Sequence, residues 1–225
     1  MFDSPYAGPQ SFAPTYGEHR DKLELSDNDF EEIYKYSKKI DIDFFVTPFD
    51  LKSADFLNEL GLESYKIASG DLTNFPLIEK VANFQKPMII STGASDFSEV
   101  EKTFNFAKNI NHRIILLQCT SIYPAKPITI NLNVIKTFRD KFVDTVIGYS
   151  GHDSGISIPI AAYSLGARVI EKHFTLDRTQ KGTDHQFSLT PELLEELVTE
   201  LENVKLSLGD GNKKLLSEEK LARFK

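Results

Sequence analysis

The sequence predicts an α/β protein built as an incomplete barrel of parallel strands and crossover helices. Three observations lead to this prediction: short apolar runs alternate with amphipathic stretches, the unit recurs about six times, and each apolar run ends in a polar residue. Continuous apolar runs are typical of parallel strands that are covered on both faces. The predicted strands are 43–49, 64–69, 87–92, 113–120, 145–150 and 167–174.

Helices are predicted before, between and after these strands. Ser26 can cap the first helix, and Phe30, Ile33 and Tyr34 lie on one face of it at helical spacing. The amphipathic stretches that follow have the same kind of pattern. The predicted helices are 26–40, 50–60, 75–84, 96–109, 131–142, 155–165 and 191–208.

The polar strand ends favour a closed barrel over an open, doubly wound sheet. All carboxyl ends of a barrel meet at one mouth, whereas an open sheet uses mainly the ends beside its switch point. We therefore expect a TIM-type (β/α) barrel, incomplete, with about six of the eight βα units, over residues 1–209. Residues 1–25 are rich in proline and glycine and predict an irregular loop, and residues 210–225 predict the start of a linker. The polar strand ends are Thr47, Ser69, Ser91, Thr120, Ser150 and His173.

Composition narrows the class of partner. The chain has 225 residues, of which 40% are hydrophobic, and this suits one ordinary domain. Its net charge of −7 argues against a surface for nucleic acid or for an anionic membrane, which needs clustered Lys and Arg. No signal peptide is evident, no apolar run approaches the length of about 18 residues that crosses a membrane, and Cys119 is the only cysteine. We expect small-molecule partners and a cytoplasmic location.

Two histidines follow successive predicted strands. His152 and His173 are about one βα unit apart in the chain, so neighbouring strand ends would bring them together. Two imidazoles can hold a divalent cation and leave other coordination positions open for water and substrate. The alternative is that each histidine only forms a hydrogen bond to a loop.

Lys66 has three possible roles. It could form a Schiff base, as in aldolases, if it points into the mouth as a neutral amine. It could instead bind an anion beside Ser69, or be an ordinary solvated lysine. Another strand lysine, Lys172, is less suited to the first role: Glu171 and His173 are two residues apart and share one face, so Lys172 points the other way.

Three short motifs place hydroxyl groups beside glycine at strand ends. They are SGD (69–71), STG (91–93) and YSGHDSG (149–155). Backbone amides at such turns can approach an anion. Each motif alone also fits an ordinary turn whose Ser or Asp caps the next helix.

Cys119 and the pair Asp184 and His185 each allow two interpretations. Cys119 could be a nucleophile, but no base lies beside it in the sequence, which favours a packed thiol. Asp184 and His185 follow the last strand in a loop over the mouth. They could contact a polyhydroxy substrate or form a plain surface turn.

Ordered motifs extend over nearly the whole chain and resemble the sialic acid synthase family, in particular its animal branch. The motifs are TYGEHR (15–20), FFVTPFD (44–50), YKIASGD (65–71), NFPLIEK (74–80), STG (91–93), LQCTSIYP (117–124), IGYSGHDSG (147–155), EKHFTLD (171–177) and KGTDHQFSL (181–189).

The resemblance implies a specific reaction. Phosphoenolpyruvate would condense with the open-chain aldehyde of N-acetylmannosamine or its 6-phosphate, giving N-acetylneuraminate or its 9-phosphate and inorganic phosphate. A manganese or magnesium ion would assist this reaction, and the full-length protein would be a homodimer.

The resemblance also implies roles for individual residues. His152 and His173 would be the metal ligands, and together with Lys66 they would form the catalytic group. Phosphoenolpyruvate would be held by Lys66, Thr47, Ser69, Ser91 and Ser150, and the remaining substrate-binding residues would be Asp71, Ser121, Tyr123 and Asp184. Bacterial members have Glu where this chain has Asp71.

Two parts of the family pattern have no counterpart in these 225 residues. Family members begin with two strands that carry a Glu, an Asn-His pair and a Lys-x-Gln motif. They end with an antifreeze-like domain that lends an arginine to the partner's site in the dimer. The sequence therefore predicts an impaired synthase, or alternatively a catalytically silent isoform that binds the full-length enzyme or a sugar phosphate.

Overall fold

Five parallel strands form one sheet in the computed structural model, which describes residues 2–224. The strands are hydrogen-bonded in the order in which they occur along the chain, so each βα unit lies beside the next one. The sheet is curled and corresponds to part of a TIM-type barrel. The strands are β1 (Tyr65–Ile67), β2 (Met88–Ser91), β3 (Ile114–Cys119), β4 (Val146–Gly151) and β5 (Ile170–Lys172).

Helices precede, connect and follow these strands, and most begin at a side-chain cap. Ser26 and Asp29 form a reciprocal capping box, as do Asp96 and Glu99, because each pair satisfies two free backbone amides. The helices are α1 (Tyr16–Asp21), α2 (Asp27–Lys39), α3 (Leu51–Glu59), α4 (Phe75–Asn83), α5 (Phe97–Lys108), α6 (Pro127–Ile130), α7 (Val134–Lys141), α8 (Ser157–Ser164) and α9 (Pro191–Leu208), and 3-10 turns cover Ser69–Asp71, His185–Phe187 and Ser217–Phe224.

The strand register decides which side chains share a face. Ser91 pairs with Leu117, Cys119 pairs with Ser150, and Ser150 pairs with Glu171. Because paired residues point to the same side and alternate residues along a strand share a face, these polar side chains lie together. Lys66 joins the same face through its pairing with Ile89, two residues before Ser91. The inner face of the sheet therefore becomes polar toward the carboxyl ends of the strands.

The opposite face of the sheet forms the hydrophobic core with the helices. Ile67, Ile90 and Leu116 are fully buried, and Phe104 and Phe138 pack into the same cluster. This core contains the large apolar side chains of the alternating units, as the continuous apolar runs predict. The rigid sheet thus carries the polar strand ends.

The first predicted strand, 43–49, is wrong as a full strand. Only Val46 makes a parallel bridge, to Tyr65, and the amide of Lys66 donates to its carbonyl over 3.3 Å. Pro48 cannot donate to a ladder, and no strand within residues 2–224 pairs with the other side of this segment. The structure therefore has five strands and one bridge rather than six strands.

Two other predicted segments differ from the structure. The loop predicted at 1–25 contains helix α1, which begins at Thr15 because its Oγ1 accepts from the amide of Glu18 over 3.3 Å. The helix predicted at 131–142 begins later, as α7, and the short helix α6, which was not predicted, precedes it; Asn131, with a left-handed backbone and φ of 51°, separates the two. Asparagine tolerates this conformation better than most residues, so it can end one helix and lead into another.

The carboxyl-terminal end of the described chain lies outside the core. Residues 210–223 are exposed and include most of the last 3-10 turn, and Met1 and Lys225 lie outside the described residues. No helix within residues 2–224 combines the length and the apolar composition needed to cross a membrane.

Candidate active site at the carboxyl ends of the strands

The two predicted histidines meet at the mouth of the curled sheet. His152 follows β4 and His173 follows β5, and the centroids of their rings are 5.2 Å apart at an interplanar angle of 73°. His152 is only 5% exposed, whereas the side chain of His173 is one-third exposed. The structure thus places one buried and one accessible imidazole side by side.

Each histidine has a partner that orients its ring. Nδ1 of His152 lies 2.7 Å from the carbonyl oxygen of Thr120, and a carbonyl can only accept, so Nδ1 carries the proton. Nε2 of the neutral ring is then available as a metal ligand. Nδ1 of His173 lies 3.5 Å from Oδ2 of Asp184 and has the same arrangement at a longer distance.

The two imidazoles differ in proton affinity. Burial lowers the pKa of His173 below its usual value, with Asp184 opposing this effect and the neighbouring His152 adding to it. Burial also lowers the pKa of His152, but hydrogen bonds to Cys119 and to the Thr120 carbonyl outweigh it, and the pKa of His152 is raised. The neutral form that binds metals is therefore favoured at His173.

Cys119 is a packed thiol, as the sequence favours, and the fold brings His152 near it although no base lies beside it in the sequence. His152, Ser69 and Ser150 lie near the thiol and each favours its ionised form. Burial opposes its ionisation, but the hydrogen bonds from His152 and Ser69 outweigh this effect, and the pKa of Cys119 lies below its usual value. The thiol is packed, as 7% exposure shows, but its surroundings are polar.

A carboxylate joins two of the predicted anion-binding side chains. Nζ of Lys66 lies 3.3 Å from Oε2 of Glu171, and Oγ of Ser150 donates to Oε1 of the same residue over 2.7 Å. Lys66 is buried, so it is not a solvated lysine. An ammonium group that is paired with a carboxylate suits anion binding, whereas a Schiff base needs the neutral amine.

Two other serines complete the polar face. Ser91 is 2% exposed, and its Oγ has no hydrogen-bond partner among residues 2–224. Buried hydroxyl groups almost always have a partner, so this oxygen is suited to a ligand. Oγ of Ser69 accepts from the amide of Gly93 over 2.9 Å and lies close to Cys119.

The loop after β3 brings an aromatic ring to the histidine pair. The ring of Tyr123 lies 3.9 Å from that of His152 and 6.1 Å from that of His173, measured between centroids. Burial raises the pKa of its hydroxyl above the usual value, and the nearby Ser121 opposes this shift. Tyr123 is half exposed, so one face can contact a ligand.

Two predicted site residues are not joined to this cluster. Thr47 lines a separate cavity of about 450 Å³, together with Arg20, Phe30 and Asp50. Asp71 accepts a hydrogen bond from Asn74 over 3.0 Å within its own turn. The contacts found in residues 2–224 therefore connect His152, His173, Lys66, Ser69, Ser121, Tyr123, Ser150 and Asp184. Ser91 shares their face of the sheet without a hydrogen-bond partner, and Thr47 and Asp71 lie apart from the cluster.

A larger cavity of about 800 Å³ adjoins the cluster. It is lined by the end of β3, including Cys119 and Ser121, and by Phe97, Asn131 and Phe138 from the surrounding helices. Residues 2–224 contain no group of three or more His, Cys, Asp or Glu side chains arranged to hold a metal ion. The metal site predicted at His152 and His173 stays a prediction.

Comparisons with known proteins identify the family. The NeuB family model matches residues 4–213. The chain belongs to the NeuB family. It is 42% identical to human N-acetylneuraminate-9-phosphate synthase over 95% of this chain and 60% of that protein, and 45% identical to the N,N'-diacetyllegionaminic acid synthase of Campylobacter jejuni over 86% of this chain and 58% of that protein. The chain thus spans about 60% of the length of the human relative.

A solved NeuB family structure has the same fold. The sialic acid synthetase of Leptospira borgpetersenii superposes with a TM-score of 0.84 at 37% identity, over 93% of this chain and 75% of that one. A truncated 3-deoxy-D-arabino-heptulosonate 7-phosphate synthase from Thermotoga maritima, at 20% identity and a TM-score of 0.73, shares the fold alone. These neighbours support the assignment to an incomplete TIM-type barrel.

Sequence reasoning left two members of this NeuB family site out of the predicted set. Glu171 shares a strand face with His173 at a spacing of two residues, and this signal could have added it. Cys119 could not be found in this way, because its base comes from the next strand. Only the register, which pairs Cys119 with Ser150 two residues before His152, shows the contact.

Proposed function

We propose that this NeuB family protein condenses phosphoenolpyruvate with N-acetylmannosamine or its 6-phosphate and releases inorganic phosphate. The observation that carries the proposal is the juxtaposition of two groups on one face: the Lys66–Glu171–Ser150 row and the His152–His173 pair. The first group suits an anion, and the second suits a divalent cation. A reaction between a phosphorylated acid and an aldehyde needs both.

The phosphate and carboxylate of phosphoenolpyruvate would bind to the inner face of the sheet. Lys66 supplies a positive charge, and Ser69, Ser91 and Ser150 supply hydroxyl groups around it. The unpartnered Oγ of Ser91 supports this assignment most directly, because a bound phosphate oxygen would give it a partner. Thr47 belongs to the proposed set through family resemblance alone.

The histidine pair fits a manganese or magnesium ion. Asp184 lies beside Nδ1 of His173 and leaves its Nε2 available, and Thr120 directs the proton of His152 to Nδ1, so Nε2 of His152 would exchange its contact with Cys119 for the ion. When bound, the ion would polarise the aldehyde oxygen of the sugar. The burial that favours neutral His173 supports the same assignment.

The sugar would lie over the histidines, between two loops. Tyr123 offers a half-exposed ring from the loop after β3, and Asp184 offers a partly exposed carboxylate from the loop after β5. Ser121 lies near the Tyr123 hydroxyl and would help to orient it. Asp71 remains in the proposed sugar-binding set through the resemblance.

The reaction needs one carbon–carbon bond and the loss of phosphate. The methylene carbon of phosphoenolpyruvate attacks the aldehyde carbon of the sugar, and the aldehyde oxygen becomes a hydroxyl group. Water then adds to the former enol carbon, and phosphate leaves to give the ketone. In the proposed arrangement, Lys66 and the serines hold the phosphate while Tyr123 and Asp184 orient the aldehyde toward it.

Product analysis tests the proposal. The chain is incubated with phosphoenolpyruvate and manganese, with either N-acetylmannosamine or its 6-phosphate, and the nonulosonate product is quantified by mass spectrometry. We expect slow product formation that disappears in the His173→Ala variant. Binding of phosphoenolpyruvate without product after prolonged incubation would contradict the proposal and favour a non-catalytic binding protein. Borohydride would reduce a Schiff base between Lys66 and a substrate to a stable covalent bond. Because the proposed role of Lys66 is to bind an anion, we expect neither substrate to become attached to it.

The assembly and location are part of the same proposal. We expect the full-length protein to be a homodimer that acts in the cytoplasm. Size-exclusion chromatography with light scattering and imaging of a fluorescent fusion would test these two expectations.

A further inference from the structure

Glu171 occupies the donors that the proposed phosphate site needs. One carboxylate oxygen forms an ion pair with Nζ of Lys66 at 3.3 Å, and the other accepts a hydrogen bond from the hydroxyl of Ser150 over 2.7 Å. A carboxylate and a phosphate present the same kind of acceptor, a negatively charged oxygen that favours charge-assisted hydrogen bonds. In this structure the chain therefore supplies its own anion to the site.

The two donors differ in how many acceptors they can satisfy. An ammonium group has three protons, so Lys66 can bind Glu171 and a phosphate at the same time. A hydroxyl group has one proton, so Ser150 cannot donate to a phosphate while it donates to Glu171. Binding of a phosphate through Ser150 must break the hydrogen bond to Glu171.

We propose that Glu171 is an internal competitor of the substrate phosphate, and that binding displaces its carboxylate from Ser150. The inference rests on the proposed function only in taking Lys66 and Ser150 as phosphate donors. Lys66 has a side chain that is 10% exposed and keeps a counter-charge throughout, first from Glu171 and then from the phosphate. The side chain of Glu171 is 38% exposed, so it has room to move into the mouth.

The competition also has a consequence for selectivity. An anion that contacts only Lys66 gains little binding free energy, because Glu171 already neutralises the charge of the ammonium group. A ligand that offers a phosphate together with further contacts can displace the carboxylate. Glu171 thus discriminates against simple anions.

Calorimetric titration of the metal-free chain with inorganic phosphate and with phosphoenolpyruvate tests the inference. The Glu171→Gln variant removes the negative charge and should bind both anions about tenfold more tightly than the wild type. Glu171→Asp keeps the charge but shortens its reach to Ser150, and it should give a smaller gain in the same direction. Circular dichroism measures whether each variant is folded. If the Gln variant does not fold, phosphate binding by the Asp variant tests the inference.

A matched control and the opposite outcome complete the test. Glu101 forms an ion pair with Lys141 at 2.9 Å on the helices, and its side chain is 37% exposed, so Glu101→Gln should leave phosphate binding unchanged. Equal or weaker binding by the Glu171 variants, or no binding by any variant, would overturn the inference. Tighter binding without any product in the synthase assay would support the inference while contradicting the proposed function.

Discussion

Nζ of Lys172 lies 3.2 Å from Oδ2 of Asp153, and the two side chains are 4% and 2% exposed. The same ammonium group donates to the backbone carbonyl of Asp153, and the hydroxyl of Tyr149 donates to the other carboxylate oxygen over 2.6 Å. Burial lowers the pKa of Lys172, and Asp153 opposes this shift. Because these residues adjoin His173 and His152 in the chain, the ion pair ties together the strand ends that carry the imidazoles.

Removal of the Lys172 ammonium should destabilise the fold. The Lys172→Met variant leaves the Asp153 carboxylate buried without its counter-charge, and we expect a loss of about 3–5 kcal/mol in the free energy of unfolding. Urea denaturation followed by circular dichroism measures this loss. Lys141→Met, at a half-exposed ion pair, is the control and should unfold nearly as the wild type does. A Lys172 variant as stable as that control would show that the buried pair is not needed.

The histidine pair should bind manganese weakly. Replacing His173 with Ala removes one of two protein ligands and should weaken binding by more than about tenfold in calorimetry. His185→Ala is the control, because Nδ1 of His185 lies 2.7 Å from Oγ1 of Thr175 and has no contact with the pair. Equal affinities of the wild type and the His173 variant would refute the metal assignment.

Gly93 should not tolerate a side chain. A Cβ atom at this position would clash with Oγ of Ser121 and lie 2.9 Å from Oγ of Ser69. We expect Gly93→Ala to lower the free energy of unfolding by about 1–3 kcal/mol and to weaken phosphoenolpyruvate binding, because Ser69 must move. Gly70→Ala is the control, since its Cβ would have nothing within 4 Å. Unchanged phosphoenolpyruvate binding in the Gly93 variant would argue against a role of Ser69.

Turnover of the 225-residue chain should be low. The five-stranded sheet of residues 2–224 does not close, and only the single bridge at Val46 covers the outer edge of β1. The loss of one well-placed polar group costs about a hundredfold, so a site beside an open sheet should turn over slowly. We expect phosphate release at least a hundredfold slower than that of the full-length human relative. Rates within about tenfold of each other would contradict this expectation.

The sequence predicted the parallel architecture better than its details. The apolar runs at β2 and β3 are continuous because both faces of these strands are covered, and the helices between them show a period of about 3.6 residues. The segment at Val46 has the same composition, yet it makes one bridge, because strand formation depends on neighbours that are distant in sequence. The left-handed backbone at Asn131, which divides α6 from α7, has no periodic signature either.

The candidate site was predictable where chain order decides geometry. Successive strand ends bring His152 and His173 together, and alternation along β5 separates Glu171 from Lys172. The partner of each group was not predictable, because contacts such as Ser150 to Glu171 depend on register and side-chain conformation. The same reason explains why the sequence shows no base beside Cys119, whereas the fold brings His152 near it.

The division between strands and loops at the mouth bears on how such enzymes diversify. The Lys66–Glu171–Ser150 row belongs to the strands, whereas Tyr123 and Asp184 belong to the loops after β3 and β5. Loops change in length and sequence with little cost to the core, so a lineage could exchange one acceptor sugar for another while the strands proposed to bind phosphate stay intact. Relatives named for legionaminic and pseudaminic acids would then differ from sialic acid synthases mainly in these two loops.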